Sequence, residues 1–540
     1  MKGTNFPSNT EIERLKKIEK VADEVIEKIG NPVSPLQVSA VIESLGYRHA
    51  DCPTEFGKKN IFELSKDVYK ICKLKVRRGK AKKGKTKQLG FLHSFWIFIR
   101  YFSGGIALGL PIASQIAFIA FTGYSLWAWI KFTELQATIV ALGTILSFIV
   151  TGGFTQVIGR EVTYYLSIGN KITARAIAFK LFNYGFATSI AFGFLLFILN
   201  LVFEIFPKKF LLIALVYYFL LSILWLSTSL IYSAKRKLAV FTILSIGTLV
   251  VIWLHKFNSL NIHIAHIIGL TTSDVLMTLW ARFIFRLKKG EKKITYVSLK
   301  VKRRSVLAYV NSPFFKFGLY YFLLLFLDRL ISWSAPSKGK FYLFWFRTPY
   351  ELGVDWALLS FGLMLAMLEY TVNDFSEKLI PTQKKFPAFE IKSHNAWYLN
   401  FYLVKFSLLV IFGLASIIAV YLIVMKLGEV YQHIKEVREF FSSPITFKVF
   451  YLASISYLFL AIGLLNNLFF FTLWKPEFGL KAIRSALLVD LVVGLISSRL
   501  ISWEYGVLGF TLGSLVFAIT TTWHMLKFLK TIDYQYYSAF

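Results

Sequence analysis

Charged side chains occur inside several long apolar segments of the chain, where they are rare and costly. Asp328 and Arg329 are adjacent within one such segment, and Asp274 and Asp490 lie near the middles of two others. Charges at such positions usually face a cavity or a partner on another helix. Neighbouring residues on a helix do not face each other, so Asp328 and Arg329 cannot simply neutralise each other. We expect each to meet a group on another helix or to line a polar path.

Further charged residues extend this set. Lys405 lies roughly a third of the way into its segment, and Glu369 lies in the inner part of another. The complete set of candidates for a polar path is Asp274, Asp328, Arg329, Asp490, Lys405, Glu369, Arg160 and Lys316. The alternative for Asp328 and Arg329 is a salt bridge that only holds helices together. For Asp355 and Arg499, near segment ends, we expect side chains that reach the membrane interface.

The elements that carry these charges are about twelve apolar stretches between Gly90 and Leu529. Roughly 20 consecutive apolar residues are needed to span a membrane as a helix. Of the 540 residues, 56% are hydrophobic and 54 are Phe, more apolar surface than a soluble domain could bury. We therefore predict an all-α polytopic membrane protein. The predicted spans are residues 95–125, 133–157, 180–206, 210–233, 238–257, 260–286, 306–334, 350–373, 398–425, 445–473, 478–500 and 504–528.

The charge balance predicts the orientation of these spans. The net charge is +32, from 62 Lys and Arg against 30 Asp and Glu, and the basic residues are concentrated in alternate loops. Cytoplasmic loops are enriched in Lys and Arg. An even number of spans then places both termini in the cytoplasm, and we expect the inner membrane. Nucleic acid is not an expected partner, because the basic residues are spread over many loops, whereas membrane lipids are.

A hydrophilic stretch from Arg286 to Arg304 divides the spans into two groups of six. We predict an N-terminal lobe at 91–286, a basic connector at 287–304 and a C-terminal lobe at 305–540 with a short cytoplasmic tail. Two six-helix halves are a common transporter architecture, with the binding path between them. The halves show no strong repeat at the level of residues, so this symmetry rests on the span count.

The first 73 residues predict a small cytoplasmic helical bundle. Three helical patterns occur, over 11–29, 35–45 and 61–73, and residues 74–90 form a basic linker with eight Lys or Arg before Gln88. Such a run beside a first span attracts the cytoplasmic leaflet. Cys52 and Cys72 are not in metal-ligand spacing, so we expect reduced thiols. A bundle placed there could dock a partner, although a passive extension is the alternative.

Soluble-enzyme motifs are absent from the sequence, and we expect neither an enzyme nor a cofactor. His263 and His266 share a helix face near a predicted outer end, where interfacial side chains are the favoured interpretation over a metal site. A zinc site needs three or four converging ligands.

Four stretches resemble the polysaccharide flippases of the MATE/MurJ/Wzx-type (MOP) superfamily, and most closely the Pel exopolysaccharide transporter family. Thr151–Leu166 is similar to the family's exit from its second span, where an Arg follows a Gly-containing helix end. Phe322–Trp333 and Tyr350–Tyr370 are similar to its seventh and eighth spans. Asp533–Phe540 is similar to its aromatic C-terminus.

The resemblance covers residues 91–540 and implies alternating access. Two lobes would rock around a central cleft that receives an anionic or amino-sugar polymer from a cytoplasmic glycosyltransferase, with accessory membrane subunits. An ion gradient, of H⁺ or Na⁺, or polymerisation itself would drive export. The N-terminal bundle is extra relative to the family's short start. The first span departs from the family's usual turn at Ser103–Ala113.

Other functions remain open at this stage. A small-molecule cation or drug antiporter of the same fold would need a compact carboxylate site rather than a long groove. A membrane-embedded glycosyltransferase or acyltransferase would need a catalytic His or paired carboxylates at a membrane face. A scaffold subunit would act mainly through its N-terminal bundle.

Overall fold

The structure is a computed structural model, and it describes residues 9–30, 32–78, 91–287, 304–336, 343–385, 391–430 and 442–537. These ranges are almost entirely helical, and their β-structure is one isolated bridge between Tyr124 and Trp129. The predicted all-α fold is confirmed. Most of the predicted basic linker and connector lies outside the described residues.

Three helices form the N-terminal bundle: α1 (Asn9–Ile29), α2 (Pro35–Ser44) and α3 (Ile61–Arg78). Apolar residues of α1 at helical spacing pack against α2 and α3 in a small buried core. The side chain of Ser34 caps α2 by accepting a hydrogen bond from the backbone N–H of Gln37 at 3.0 Å. Cys52 and Cys72 are free and buried in this core. Burial raises the pKa of the Cys72 thiol to about 12.

Twelve long helices follow between residues 91 and 529 of the described chain. They are α4 (Phe91–Thr122), α5 (Glu134–Ser167), α6 (Lys171–Phe203), α7 (Lys208–Ser233), α8 (Lys237–Ile252), α9 (Ile262–Ile284), α10 (Arg304–Trp333), α11 (Thr348–Lys385), α12 (Ile391–Val430), α13 (Pro444–Thr472), α14 (Pro476–Leu500) and α15 (Val507–Leu529). A π-helical turn at Trp253–Phe257 extends α8, and a short helix α16 (Ile532–Tyr537) ends the described chain.

Ten of the described helices are long and apolar enough to cross a membrane. The other two, α10 and α14, carry Asp328, Arg329 and Asp490 but have 30 and 25 residues, which is sufficient length. Several helices run beyond the predicted spans, most clearly α11 and α12. Apolar composition marks the part of a helix that contacts lipid, whereas the helix itself continues into polar sequence until a capping or turn signal.

The two halves repeat one packing scheme, which the sequence did not reveal. In the first half, α5 packs on α6 and α7, α7 packs on α9, and α8 packs on α4 and α9. In the second half, α11 packs on α12 and α13, α13 packs on α15, and α14 packs on α10 and α15. Each helix of α4–α9 thus corresponds to the helix six places later. We call α4–α9 the N-terminal lobe and α10–α15 the C-terminal lobe.

The lobes meet along two corresponding helix pairs, α4 with α11 and α5 with α10. Glycine permits both contacts. A Cβ atom on Gly105 would lie 2.4 Å from the Cα atom of Ala366, and one on Gly318 would lie 2.5 Å from the carbonyl oxygen of Gly152. The N-terminal bundle lies at the end of the lobes where α4 begins and α5 ends. We call this end the basic side.

Candidate functional site

Arg329 is the centre of a buried ion network in the C-terminal lobe, at the end remote from the basic side. Its Nη1 donates to Oε2 of Glu351 at 2.7 Å, and its Nη2 donates to Oδ1 of Asp355 at 3.1 Å. The indole N–H of Trp333 donates to the other oxygen of Glu351 at 2.8 Å. Arg329 lies about 6 Å from the end of α10. Its partners come from the first turns of α11, so the network joins these two helices.

Asp328 lies on a different side of α10, rotated by about 100° from Arg329. It is fully buried and accepts a hydrogen bond from the hydroxyl of Tyr350 at 2.7 Å. Asp490 on α14 is also fully buried, and neither of its oxygens has a hydrogen-bond partner among the described residues. Asp328 and Asp490 lie on helices that pack against each other, α10 and α14. The C-terminal lobe therefore holds two neighbouring carboxylates in addition to the Arg329 network.

Asp355 faces the N-terminal lobe. It shares a face of α11 with Gly362, Ala366 and Glu369, because these positions follow at helical spacing. Gly362 and Ala366 touch α4, yet the side chain of Asp355, about 10 Å further from the basic side, is 46% exposed. The lobes are therefore in contact toward the basic side and leave accessible space beside Asp355. The expectation that Asp355 reaches the membrane interface is replaced by its pairing with Arg329.

Glu369 takes part in a contact between the lobes on the basic side. Lys237, the first residue of α8, pairs with Glu369 at 2.7 Å and donates to the carbonyl oxygen of Gly104 at 3.1 Å. The hydroxyl of Tyr101 on α4 donates to Glu377 on α11. Charged and polar groups therefore connect α4 and α8 to α11 at this end.

Arg160 makes the corresponding contact between α5 and the C-terminal lobe. Its Nη1 donates to the side-chain oxygen of Asn311 on α10 and to Glu161 at 3.1 Å. Its guanidinium carbon lies 3.9 Å from the ring centre of Phe314 and 4.5 Å from that of Trp474. Such cation–π contacts stabilise a half-buried charge. Arg160 and Lys237 together hold the two lobes closed on the basic side.

Lys405 belongs to a separate cluster within the C-terminal lobe. Its ammonium pairs with Asp374 at 2.7 Å and donates to the hydroxyl of Tyr370 at 2.8 Å. Asp374 also pairs with Lys378 one turn along α11, at 2.7 Å. This cluster joins α11 to α12 on the basic side, and it is distinct from the Arg329 network near the other end.

Two candidates stand apart from these clusters. Asp274 on α9 is buried in the N-terminal lobe, and neither carboxylate oxygen has a partner among the described residues. Lys316 on α10 is exposed. The candidate set therefore divides into the network near Arg329, contacts on the basic side, and these two isolated positions.

The remaining polar residues also have specific contacts. Arg499 donates to the carbonyl oxygen of Ile331 at 3.1 Å and to the Ser334 hydroxyl at 2.8 Å, so it braces the end of α10. Tyr217 bonds to Nδ1 of His266 at 2.9 Å and of His263 at 3.3 Å. No group of three or more His, Cys, Asp or Glu suited to a metal ion occurs among the described residues.

Three residues of these sites were not selected from the sequence: Glu351, Tyr350 and Lys237. Glu351 and Tyr350 lie at the predicted start of a span, and Lys237 lies just before one, so each resembled an ordinary interfacial side chain. One signal in the sequence could have identified Glu351. A buried Arg329 requires an acidic partner, and Glu351 lies at the start of the next apolar segment.

Two six-helix lobes that repeat one packing scheme define the class of membrane fold to which the structure belongs. The chain has the fold of MATE-type transporters of the MOP superfamily.

Particular solved structures share this fold at low sequence identity. A mutant of the Vibrio cholerae MATE transporter VcmN has a TM-score of 0.55 and 13% identity, with 82% of this chain and 97% of that chain covered. A MOP superfamily transporter from Pyrococcus furiosus, described by the reverse polarity of its binding pocket, has a TM-score of 0.55 and 12% identity over 81% and 96%. An outward-facing multidrug resistance MATE family transporter has a TM-score of 0.51 and 13% identity over 80% and 96%. No protein-family model matches the chain, and no curated protein matches it.

Proposed function

We propose that the protein exports a saccharide, as an exopolysaccharide or a lipid-linked unit, across the inner membrane by alternating access. The observation that carries this proposal is the position of Asp355 and Arg329. Asp355 is half-exposed on the face of α11 that meets the other lobe, while the lobes are joined on the basic side by Lys237–Glu369 and Arg160–Asn311. A path that is closed at one end and accessible at the other is what alternating access requires.

The side chains near this space suit a polar cargo with ring faces. Arg329 lies 5.5 Å from the ring of Phe326, and Phe148 of the N-terminal lobe stacks against Trp225 at 4.1 Å and lies 5.5 Å from Phe326. Aromatic faces pack against the apolar faces of sugar rings, and a guanidinium binds carboxylates of acidic sugars. Asp355 would bind hydroxyl or amino groups.

A small-molecule antiporter is the second candidate, and the buried carboxylates favour it. Asp328 and Asp490 are buried carboxylates on adjoining helices, and one oxygen of Asp328 and both oxygens of Asp490 have no hydrogen-bond partner among the described residues, which suits a coupled cation. An exporter driven by an H⁺ or Na⁺ gradient could use the same pair. The exporter and the antiporter therefore differ in the molecule that they carry, and not in the ion gradient that drives them.

The proposed orientation places the basic side, with both termini, in the cytoplasm. The described loops and helix ends there carry Lys171, Lys235, Arg236, Lys475 and Lys530. Cytoplasmic loops of inner-membrane proteins are enriched in such residues. The N-terminal bundle would then stand at the cytoplasmic entrance, where we propose that it docks a glycosyltransferase or an accessory subunit.

The test compares cell-surface polysaccharide in a deletion strain complemented with variants. Asp355→Asn is expected to lower export at least about 10-fold at unchanged protein level, because it removes the half-exposed carboxylate while Arg329 keeps its pair with Glu351. Lys426→Gln, in an exposed pair with Glu429, is the matched control and should export normally. Normal polysaccharide in the deletion strain, together with increased sensitivity to cationic drugs, would instead establish the antiporter.

A further inference from the structure

A cavity of about 360 Å³ lies where the N-terminal bundle meets the C-terminal lobe. The bundle contributes Leu36 from α2, and Phe62 and Lys66 from α3. The lobe contributes Asn395 at the start of α12 and Lys530 at the end of α15. None of these residues belongs to the path between the lobes.

One hydrogen bond joins the two walls of the cavity, and further bonds fix the wall that the lobe contributes. The hydroxyl of Ser34 at the start of α2 donates to Asp533 of α16. Asn395 donates to the carbonyl oxygen of Lys530 at 2.8 Å and to Asp533 at 3.4 Å. Ser34 and Asp533 are both buried. The bundle therefore has a defined position against the membrane region.

The cavity lies at the level of the lipid head groups. The predicted span within α12 begins at residue 398, and the predicted span within α15 ends at residue 528. Asn395 and Lys530 are thus within one helical turn of the membrane boundary. A cavity at this level opens onto the head-group layer of the leaflet that faces the bundle.

The chemistry of the wall suits an anionic lipid. Leu36 and Phe62 are each 44% exposed, although both are large and apolar. Lys66 and Lys530 are exposed, and neither forms an ion pair with a described residue. Asp533 also lines the cavity, but it is buried, and its oxygens accept hydrogen bonds from Ser34 and Asn395. The wall thus combines apolar side chains with two exposed lysines and one buried carboxylate, so it keeps a net positive charge.

We propose that this cavity binds the head group and upper acyl region of an anionic phospholipid. The two lysines would contact the phosphate, and Leu36 and Phe62 would contact the acyl chains. Ligand sites usually have volumes of roughly 300–1,000 Å³, so about 360 Å³ accommodates a head group rather than a whole lipid. The bound lipid would fasten the bundle to the C-terminal lobe. This site does not depend on the identity of the exported cargo.

The test uses the purified full chain in nanodiscs with photoactivatable phosphatidylglycerol or phosphatidylcholine, and crosslinks are mapped by peptide mass spectrometry. Phosphatidylglycerol should label the peptides that carry Leu36 and Phe62 and be displaced by unlabelled phosphatidylglycerol. The double variant Lys66→Gln, Lys530→Gln should bind roughly 30-fold more weakly. This estimate takes about 1 kcal/mol for each lysine and 1.4 kcal/mol for each factor of ten.

The matched control is Lys16→Gln, Lys20→Gln, which removes the same charge from exposed positions of α1. It should retain the affinity of the unmodified chain, and circular dichroism should show equal helicity in all variants. Equal labelling by the two lipids, or labelling unaffected by Lys66→Gln, Lys530→Gln, would overturn the proposal. Displacement by inorganic phosphate alone would indicate an ion site and would overturn the lipid assignment.

Discussion

The two lobes share a packing scheme but differ in charge. The C-terminal lobe buries Arg329 with Glu351 and pairs Lys405 with Asp374. In the described N-terminal lobe, Asp274 is buried without a described partner, and the Arg160–Glu161 pair lies on the basic side, at the contact with the other lobe. The fold therefore does not require the ion network, since one lobe packs without it. Charges that a scaffold does not need are candidates for function.

The difference in charge between the lobes is visible at one pair of corresponding helix crossings, α8 with α9 and α14 with α15. In the N-terminal lobe, a Cβ on Gly269 of α9 would lie 2.9 Å from the carbonyl oxygen of Gly247 on α8. In the C-terminal lobe, a Cβ on Gly509 of α15 would lie 2.5 Å from the carbonyl oxygen of Asp490 on α14. Both crossings are close because of glycine, but only the second brings a buried carboxylate to the crossing.

The largest expected effect comes from removing the central cation of the C-terminal lobe. Arg329→Met leaves Glu351 buried without its charge partner, and removing one member of a buried pair costs about 3–5 kcal/mol. We expect a large drop in the unfolding temperature in detergent. Asp274→Asn, in the N-terminal lobe, should cost less than about 1 kcal/mol, because it removes a charge from a buried site. Equal drops would remove the contrast between the lobes.

A double variant separates function from stability at the same network. Arg329→Met combined with Glu351→Gln removes the two most buried charges of the network and leaves only the half-exposed Asp355 charged, so it should recover at least half of the lost stability. If Arg329 contacts the cargo, export stays low in this stabilised protein. Recovery of export together with stability would support the alternative that the network only holds α10 and α11 together.

A smaller effect is expected from disturbing the contact between the lobes. Two glycine-to-alanine substitutions test this contact. Gly105→Ala places a Cβ atom 2.4 Å from the Cα atom of Ala366, and overpacking of this kind costs about 1–3 kcal/mol. The matched control is Gly362→Ala on α11, where a Cβ would meet nothing within 4 Å. Thermal unfolding should show a lower midpoint for the first variant only. A similar midpoint in both would mean that the α4–α11 contact has room for an added methyl group.

Apolar composition predicted the membrane class, the number of long helices and the division into two halves. It could not predict the repeated packing, because helices pack through small residues and shape rather than through a fixed sequence. Arg329 and the deep position of Asp328 were selected because charges in apolar segments need partners. Glu351 and Lys237 were missed, because a charge at a span end usually reaches water. Lys237 and Glu369 are 132 residues apart, and no local pattern connects them.

The smallest expected effect lies in the Lys237–Glu369 ion pair, which joins α8 of the N-terminal lobe to the C-terminal lobe. Lys237 and Glu369 are partly exposed, with side-chain exposures of 15% and 32%, so we expect about 1 kcal/mol from the pair. That energy changes the ratio of closed to open lobes roughly five-fold. Lys237→Glu and Glu369→Lys should each increase the open population. The double exchange should restore most of the closed population, but not all, since a carboxylate at position 237 cannot donate to the carbonyl of Gly104.

The measurement is the distance distribution between spin labels placed by Ser103→Cys on α4 and Ser376→Cys on α11, two exposed positions on the basic side. The native thiols interfere little. Cys52 and Cys72 are buried, and because burial raises the pKa of Cys72 to about 12, this thiol stays protonated and slow to react near pH 7. Lys426→Glu, in an exposed pair outside the lobe contact, serves as the control for charge reversal and should leave the distribution unchanged. If Lys237→Glu and Glu369→Lys also leave the distance distribution unchanged, the contact between the lobes on the basic side depends on Arg160 and the glycine contacts. The ion pair would then form when the lobes close without stabilising the closed state.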